Sequence, residues 1–148
     1  MSVAPPAEEF HLQLAHEICH LLDPWLYDWY AEGLGNVFAE HWVRKRSLSW
    51  EPWSTLFAKG AKSNPYAIAY FMMREVEAIA GPEAMRNLRS CAVPQEKEPG
   101  KRRLDIDSWL NGIEAPAREQ VREIILHHAA ALLQNKGRQN AFSPPGVE

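Results

Sequence analysis

Three X-Pro steps cut this chain into helical lengths, and nothing else in the sequence restricts its fold as strongly. They are Asp23-Pro24, Asn64-Pro65 and Gly81-Pro82. A residue before proline is pushed out of the helical region, and proline itself suits the first turn of a helix. Asp23-Pro24 therefore ends a first helix over 7–22, in which Phe10, Leu14, Ile18 and Leu21 recur at spacings of three and four. A second helix starts near Leu26 or Tyr27 and runs to Lys45. Its apolar face draws on Trp29, Val37 and Val43 together with Leu34, Phe38 and Trp42. Gly33 and Gly35 weaken that helix intrinsically and predict close approach of backbones beside Glu32.

The stretch 47–60 reads as a connection holding one short helix, with Ser49 as a cap candidate. Asn64 caps a helix that opens on Pro65 and ends at Gly81, and Pro82 opens another. Residues 93–103 are polar and rich in Pro and Gly, and they predict a loop. A short helix over 105–110 follows. A long amphipathic helix over 116–135 turns Val121, Ile124, Ile125, Leu132 and Leu133 inward. No segment reads as a strand, so the expected class is mainly α. The expected organisation is a disordered lead at 1–6, one helical domain at 7–136 and a flexible tail at 137–148. The six Trp in 148 residues, Trp25, Trp29, Trp42, Trp50, Trp53 and Trp109, are expected to supply apolar area to that core.

A net charge of −3 spreads no single-sign field, which argues against nucleic acid and against an anionic membrane surface. No apolar run approaches the length of a membrane span, and the first ten residues lack the basic and apolar parts of a signal peptide. Two cysteines, Cys19 and Cys91, make no disulfide framework. Cytoplasmic is the resulting expectation.

Within the first helix lies His16-Glu17-Ile18-Cys19-His20, the pattern HExxH. Residues four apart share one helix face, so both imidazoles can reach a single cation, and neutral imidazole is a good zinc donor. Glu17 lies at an adjacent angle, where its carboxylate can take a proton from a water activated by the metal. A catalytic zinc site takes three protein ligands and keeps a fourth position open. A glutamate early on the second helix can fold back across the Asp23-Pro24 turn to supply the third. Asp28 could compete for that place, whereas Asp23 sits too close along the first helix to approach from the other side. The extended HExxHxxGxxH plan is excluded, since Asp23 stands at its glycine and Leu26 at its last histidine.

HEICH, followed by Trp29-Tyr30-Ala31-Glu32-Gly33 and then Asn64-Pro65-Tyr66, resembles the gluzincin metallopeptidases, the group that includes thermolysin-like enzymes and the M1 aminopeptidases. The resemblance spans about residues 10–90 and is strongest over 14–41. It implies a zincin-like helical domain with Zn2+ held by His16, His20 and Glu32, and Glu17 as general base. It also implies that the Tyr66 hydroxyl donates to the oxyanion, with Tyr70 in reserve. Asn36 and, more weakly, Glu40 stand where the family places residues that steady a ligating histidine. The implied activity is peptide-bond hydrolysis, with a peptide or protein as substrate.

The sequence departs from that family in two respects. The interval from His20 to Glu32 is short, and no strand precedes the HExxH helix where the family has a substrate-binding sheet. The expectation is a reduced, helix-only form, with a partner or self-association completing the cleft. The competing expectation is a non-catalytic zincin-like metal-binding module or a helical interaction module.

Overall fold

A computed structural model describes residues 7–135 and 141–146, with the side chains of residues 7 and 8 excepted. The expected lead at 1–6 lies outside the described residues. Six helices account for most of the fold: α1 (Ala7–Leu21), α2 (Trp29–Lys45), α3 (Glu51–Gly60), α4 (Pro65–Asn87), α5 (Ile106–Asn111) and α6 (Ala117–Leu133). The class is mainly α, as the sequence predicts. None of these helices is long and apolar enough to cross a membrane.

The helix starts follow the side chains that cap them. Asp28 accepts from the Ala31 N–H at 2.8 Å and opens α2. Asn64 accepts from the Tyr66 N–H at 2.9 Å, with Pro65 at the first helical position of α4. The cap expected at Ser49 is corrected: its hydroxyl accepts from the Glu51 N–H at 3.2 Å, but the N-cap of α3 is Trp50 and no side chain caps that helix. Inside α4, Gly81 adopts φ 83° and ψ 168°, so two helical lengths meet there at a kink. Only glycine takes that conformation without steric cost.

Helix α4 is central, with α2, α3 and α6 packed against it and α1 against α2. Between α2 and α4 lie Trp29, Val37, Met72, Met73 and Val76, all essentially buried. From α6, Val121, Ile125 and Leu132 are buried, while Leu133 is exposed, contrary to the inward face expected for it. Trp29, Trp50 and Trp109 belong to the core, but Trp25 stands out in solvent.

On α1 the buried side chains are Leu12, Ala15 and Cys19. The conspicuous series Phe10, Leu14, Ile18 and Leu21 faces outward. Its period identifies the helix, yet the core takes the smaller residues of the other face.

The expectation that no segment forms a strand is corrected. The loop expected at 93–103 contains an antiparallel hairpin of β1 (Ala92–Pro94) and β2 (Arg102–Leu104). Three-residue strands are too short to show a period. Their stability comes from the α1–α2 turn, where the Tyr27 N–H donates to the Arg102 carbonyl at 3.0 Å. The Asp23 carboxylate also pairs with the Arg102 guanidinium at 2.5 Å.

Part of the segment expected as a tail lies against the same turn. Residues 141–146 are docked, whereas 137–140 and 147–148 lie outside the described residues. The Ala141 N–H donates to the Tyr27 carbonyl at 2.9 Å, and the Trp29 N–H to the Ala141 carbonyl at 3.1 Å. Phe142 packs on Tyr30, whose hydroxyl donates to the Ser143 carbonyl at 2.8 Å. The turn joining α1 to α2 is thus held by hairpin on one side and C-terminal segment on the other. That turn sets how α2 returns to α1.

Candidate metal centre

Helix α1 presents His16 and His20 one turn apart, with their Nε2 atoms 2.9 Å from each other. Helix α2 brings the Glu32 Oε2 to 3.3 Å from Nε2 of His16 and 3.4 Å from Nε2 of His20. The three donors form a near-equilateral triangle. Tetrahedral zinc with bonds of about 2.0–2.1 Å separates its ligand atoms by about 3.3–3.4 Å. Two of the three edges match, and the third needs a few tenths of an ångström. Among the described residues this is the group of His, Cys, Asp and Glu side chains placed to hold a metal ion. The donor set, two imidazoles and one carboxylate, suits zinc.

The electrostatics at that triangle are those of a carboxylate paired with its histidine neighbours. Burial alone would raise the Glu32 carboxyl, but hydrogen bonds from His16 and His20 outweigh it and hold the group down at about 2. His20 is shifted upward, chiefly by its hydrogen bond to Glu32 and against the effect of burial. Glu32 is therefore a carboxylate at any ordinary pH, as a metal ligand must be.

The triangle opens onto a cleft of about 260 Å3 that is also bordered by Glu17, Tyr27 and Tyr66. Glu17 is exposed. The Tyr66 ring stands edge-on to Trp29, with ring centres 5.1 Å apart. A second cleft of about 390 Å3 shares His16, Glu17 and Tyr66 with the first and is walled by Trp53, Leu56 and Phe57. The fold thus assembles His16, Glu17, His20, Glu32 and Tyr66 around one opening, from α1, α2 and the start of α4.

Other candidates are placed elsewhere. Asn36 is buried and borders the second cleft, and it makes no hydrogen bond to either imidazole. The outer nitrogen of His16, Nδ1, is buried without a hydrogen-bond partner among the described residues. Glu40 is buried on the side facing α4. It accepts from Tyr70 at 2.7 Å, Arg74 at 2.9 Å and Arg44 at 2.8 Å. The bonds from Tyr70 and Arg74 tie α2 to α4, and the first commits the hydroxyl of Tyr70. Asp28 spends its carboxylate on the N–H groups of Ala31 and Leu104, and Asp23 spends its own on Arg102. His41 pairs with Glu77 at 2.6 Å, and His128 lies 3.3 Å from Glu75. Cys19 is buried with the Arg89 guanidinium on its Sγ at 2.8 Å, and burial pushes its thiol up.

Sequence reasoning missed the part played by Gly35. A Cβ built there would meet Cε1 and Nδ1 of His16 at 3.0 Å, so the imidazole rests directly on the α2 backbone. The signal was the second glycine of the Glu-Gly-Leu-Gly run, which predicted a backbone contact and not a ring contact. Gly35→Ala improves helix propensity by about 1 kcal/mol but crowds that ring. The expected outcome is a melting temperature no lower than wild type, with zinc affinity reduced about 10- to 100-fold, as for other changes that misorient a ligand. A competition titration against a chelating dye measures it, and an unchanged affinity means the ring is not held by this contact.

Comparison with family models, with curated proteins and with solved structures finds no match to this chain.

Proposed function

We propose that the chain is a zinc-dependent peptidase of gluzincin type, in a reduced helical form, acting in a reducing, cytoplasmic setting. One observation carries the reading: two Nε2 atoms and a carboxylate oxygen converge within 3.4 Å of one another beside a cleft that they help to line. The chemistry of the donors supports zinc, and the openness supports a site that admits substrate. Two free cysteines suit the setting.

In this reading His16, His20 and Glu32 hold the metal. When bound, a zinc ion supplies Lewis acidity toward a water and toward a substrate carbonyl. The residues around it do the rest. Glu17 borders the cleft without belonging to the ligand triangle, so its carboxylate accepts a proton from the attacking water and hands it to the leaving amine. The Tyr66 hydroxyl donates to the oxygen on which negative charge develops. Pro24, Leu26 and Tyr27 line the rest of the cleft that would receive the peptide.

A second reading, a metal-binding module without turnover, draws support from the strands. Those described are three residues long, which is short for gripping a peptide by strand addition.

Metal analysis of the purified chain, reconstituted with zinc and freed of excess, tests the site. One zinc per chain is expected, falling well below stoichiometric in Glu32→Gln and His16→Ala. Wild-type protein that holds no zinc overturns the proposal. Stoichiometric zinc with no cleavage across a labelled peptide library selects the second reading.

A further inference from the structure

The outward face of α1 carries a second apolar stripe in addition to the one it buries. Phe10, Leu14, Ile18 and Leu21 are 53, 41, 40 and 73 % exposed, and in the turn that follows α1 Leu22 and Trp25 are 69 and 59 % exposed. Leu14, Ile18 and Leu21 follow the four-three spacing of a coiled-coil seam, the pattern that packs against another helix. Together the six side chains leave roughly 600 Å2 of apolar surface in water.

We propose that this seam joins two copies of the chain, with α1 packed antiparallel against α1 of the second copy. A helix is the shape the spacing fits, and the second copy presents the same seam. A two-fold axis then closes the interface with nothing left over. Burying roughly 600 Å2 on each side gives about 1,200 Å2 in total, the lower edge of what specific interfaces use. Antiparallel packing also sets the helix dipoles against each other favourably. A lipid surface is the poorer occupant. No Lys or Arg precedes Arg44 in the sequence, and the flanks of α1 carry Glu9 and Glu17. Membrane-surface helices surround their apolar face with basic residues.

The interface does not depend on the zinc reading, but it borders the same cleft. Glu17 lies three residues after Leu14 and four before Leu21, so it runs along the edge of the seam. The second copy therefore flanks the opening on the side of Glu17.

Sedimentation velocity on the full chain, zinc-free and zinc-loaded, over about 1–100 μM tests the pairing. A species of twice the chain mass is expected in both forms. Leu14→Glu combined with Leu21→Glu is expected to raise the dissociation constant at least 100-fold with the far-ultraviolet circular dichroism unchanged. The milder Leu21→Ser is expected to raise it at least tenfold, and it stands in if the double variant fails to fold. A wild-type chain that is monomeric throughout the range overturns the proposal, as does a dimer indifferent to these substitutions. A monomer that floats with phosphatidylcholine–phosphatidylserine vesicles, and loses that property in the variants, overturns it in favour of a membrane surface.

Discussion

Glu17→Gln is expected to cut peptide turnover about 100- to 10,000-fold while zinc content and melting temperature stay at wild-type values. Glutamine matches glutamate in size and keeps a hydrogen-bonding carbonyl, but it accepts no proton at neutral pH. Glu17 is exposed and stands outside the ligand triangle, so the substitution disturbs neither the core nor the donors. The loss should fall on kcat with little change in KM, because proton transfer is needed in the transition state and not for binding. Steady-state assays on a fluorogenic peptide, run beside metal analysis of the same preparation, separate the outcomes. Full activity removes Glu17 from the mechanism. Loss of zinc along with activity makes Glu17 a ligand and changes the composition of the site.

The site was legible in the sequence to the extent that it is local. Four-residue spacing on a helix puts His16 and His20 on one face whatever surrounds them. Glu32 depends on the turn at 22–28, and only its motif context marks it in the sequence. The bonds that hold that turn come from Arg102 and Ala141, far along the chain, and no local pattern announces them. Regular spacing after Glu32 is what points to Asn36 and Glu40. Four residues rotate a helix about 40° past a full turn and eight rotate it about 80°, enough to swing Glu40 from α1 toward α4. There it meets Tyr70 and Arg74. The face of α1 was hidden for a related reason. Periodicity gives the helix but not its inward direction when two apolar stripes are present, and Ala15 and Cys19 are less conspicuous than Phe10 and Leu14. The helix boundaries, by contrast, rest on capping residues and prolines that act within three or four positions. Asn64, Pro65 and Gly81 are where the sequence put them.

Gly33→Ala is expected to lower stability by about 3 kcal/mol, the upper end of what an added methyl group costs in a packed core. Two effects of opposite sign compete. Alanine is the better helix former by about 1 kcal/mol, and on an exposed helix that gain would decide the result. At Gly33, however, the new Cβ would sit well under 3.0 Å from the Ala69 carbonyl oxygen and 2.5 Å from Cγ of Met73. Met73 can rotate away, but the Ala69 carbonyl is α4 backbone, and Ala69 and Met73 are fully buried. The two helices must therefore separate along the contact that also contains Trp29, Val37 and the Glu40 cluster. For a domain of this size the expected fall in melting temperature is about 6–12 °C, read by thermal denaturation of the zinc-free protein. Because Glu32 precedes Gly33 on the same turn of α2, displacing that helix also pulls the carboxylate off the two imidazoles. Zinc affinity should fall together with stability, whereas Gly35→Ala separates the two. A Gly33→Ala protein as stable as wild type would mean that α2 and α4 have slack at their closest approach, and that Glu32 is not fixed by the packing of these helices.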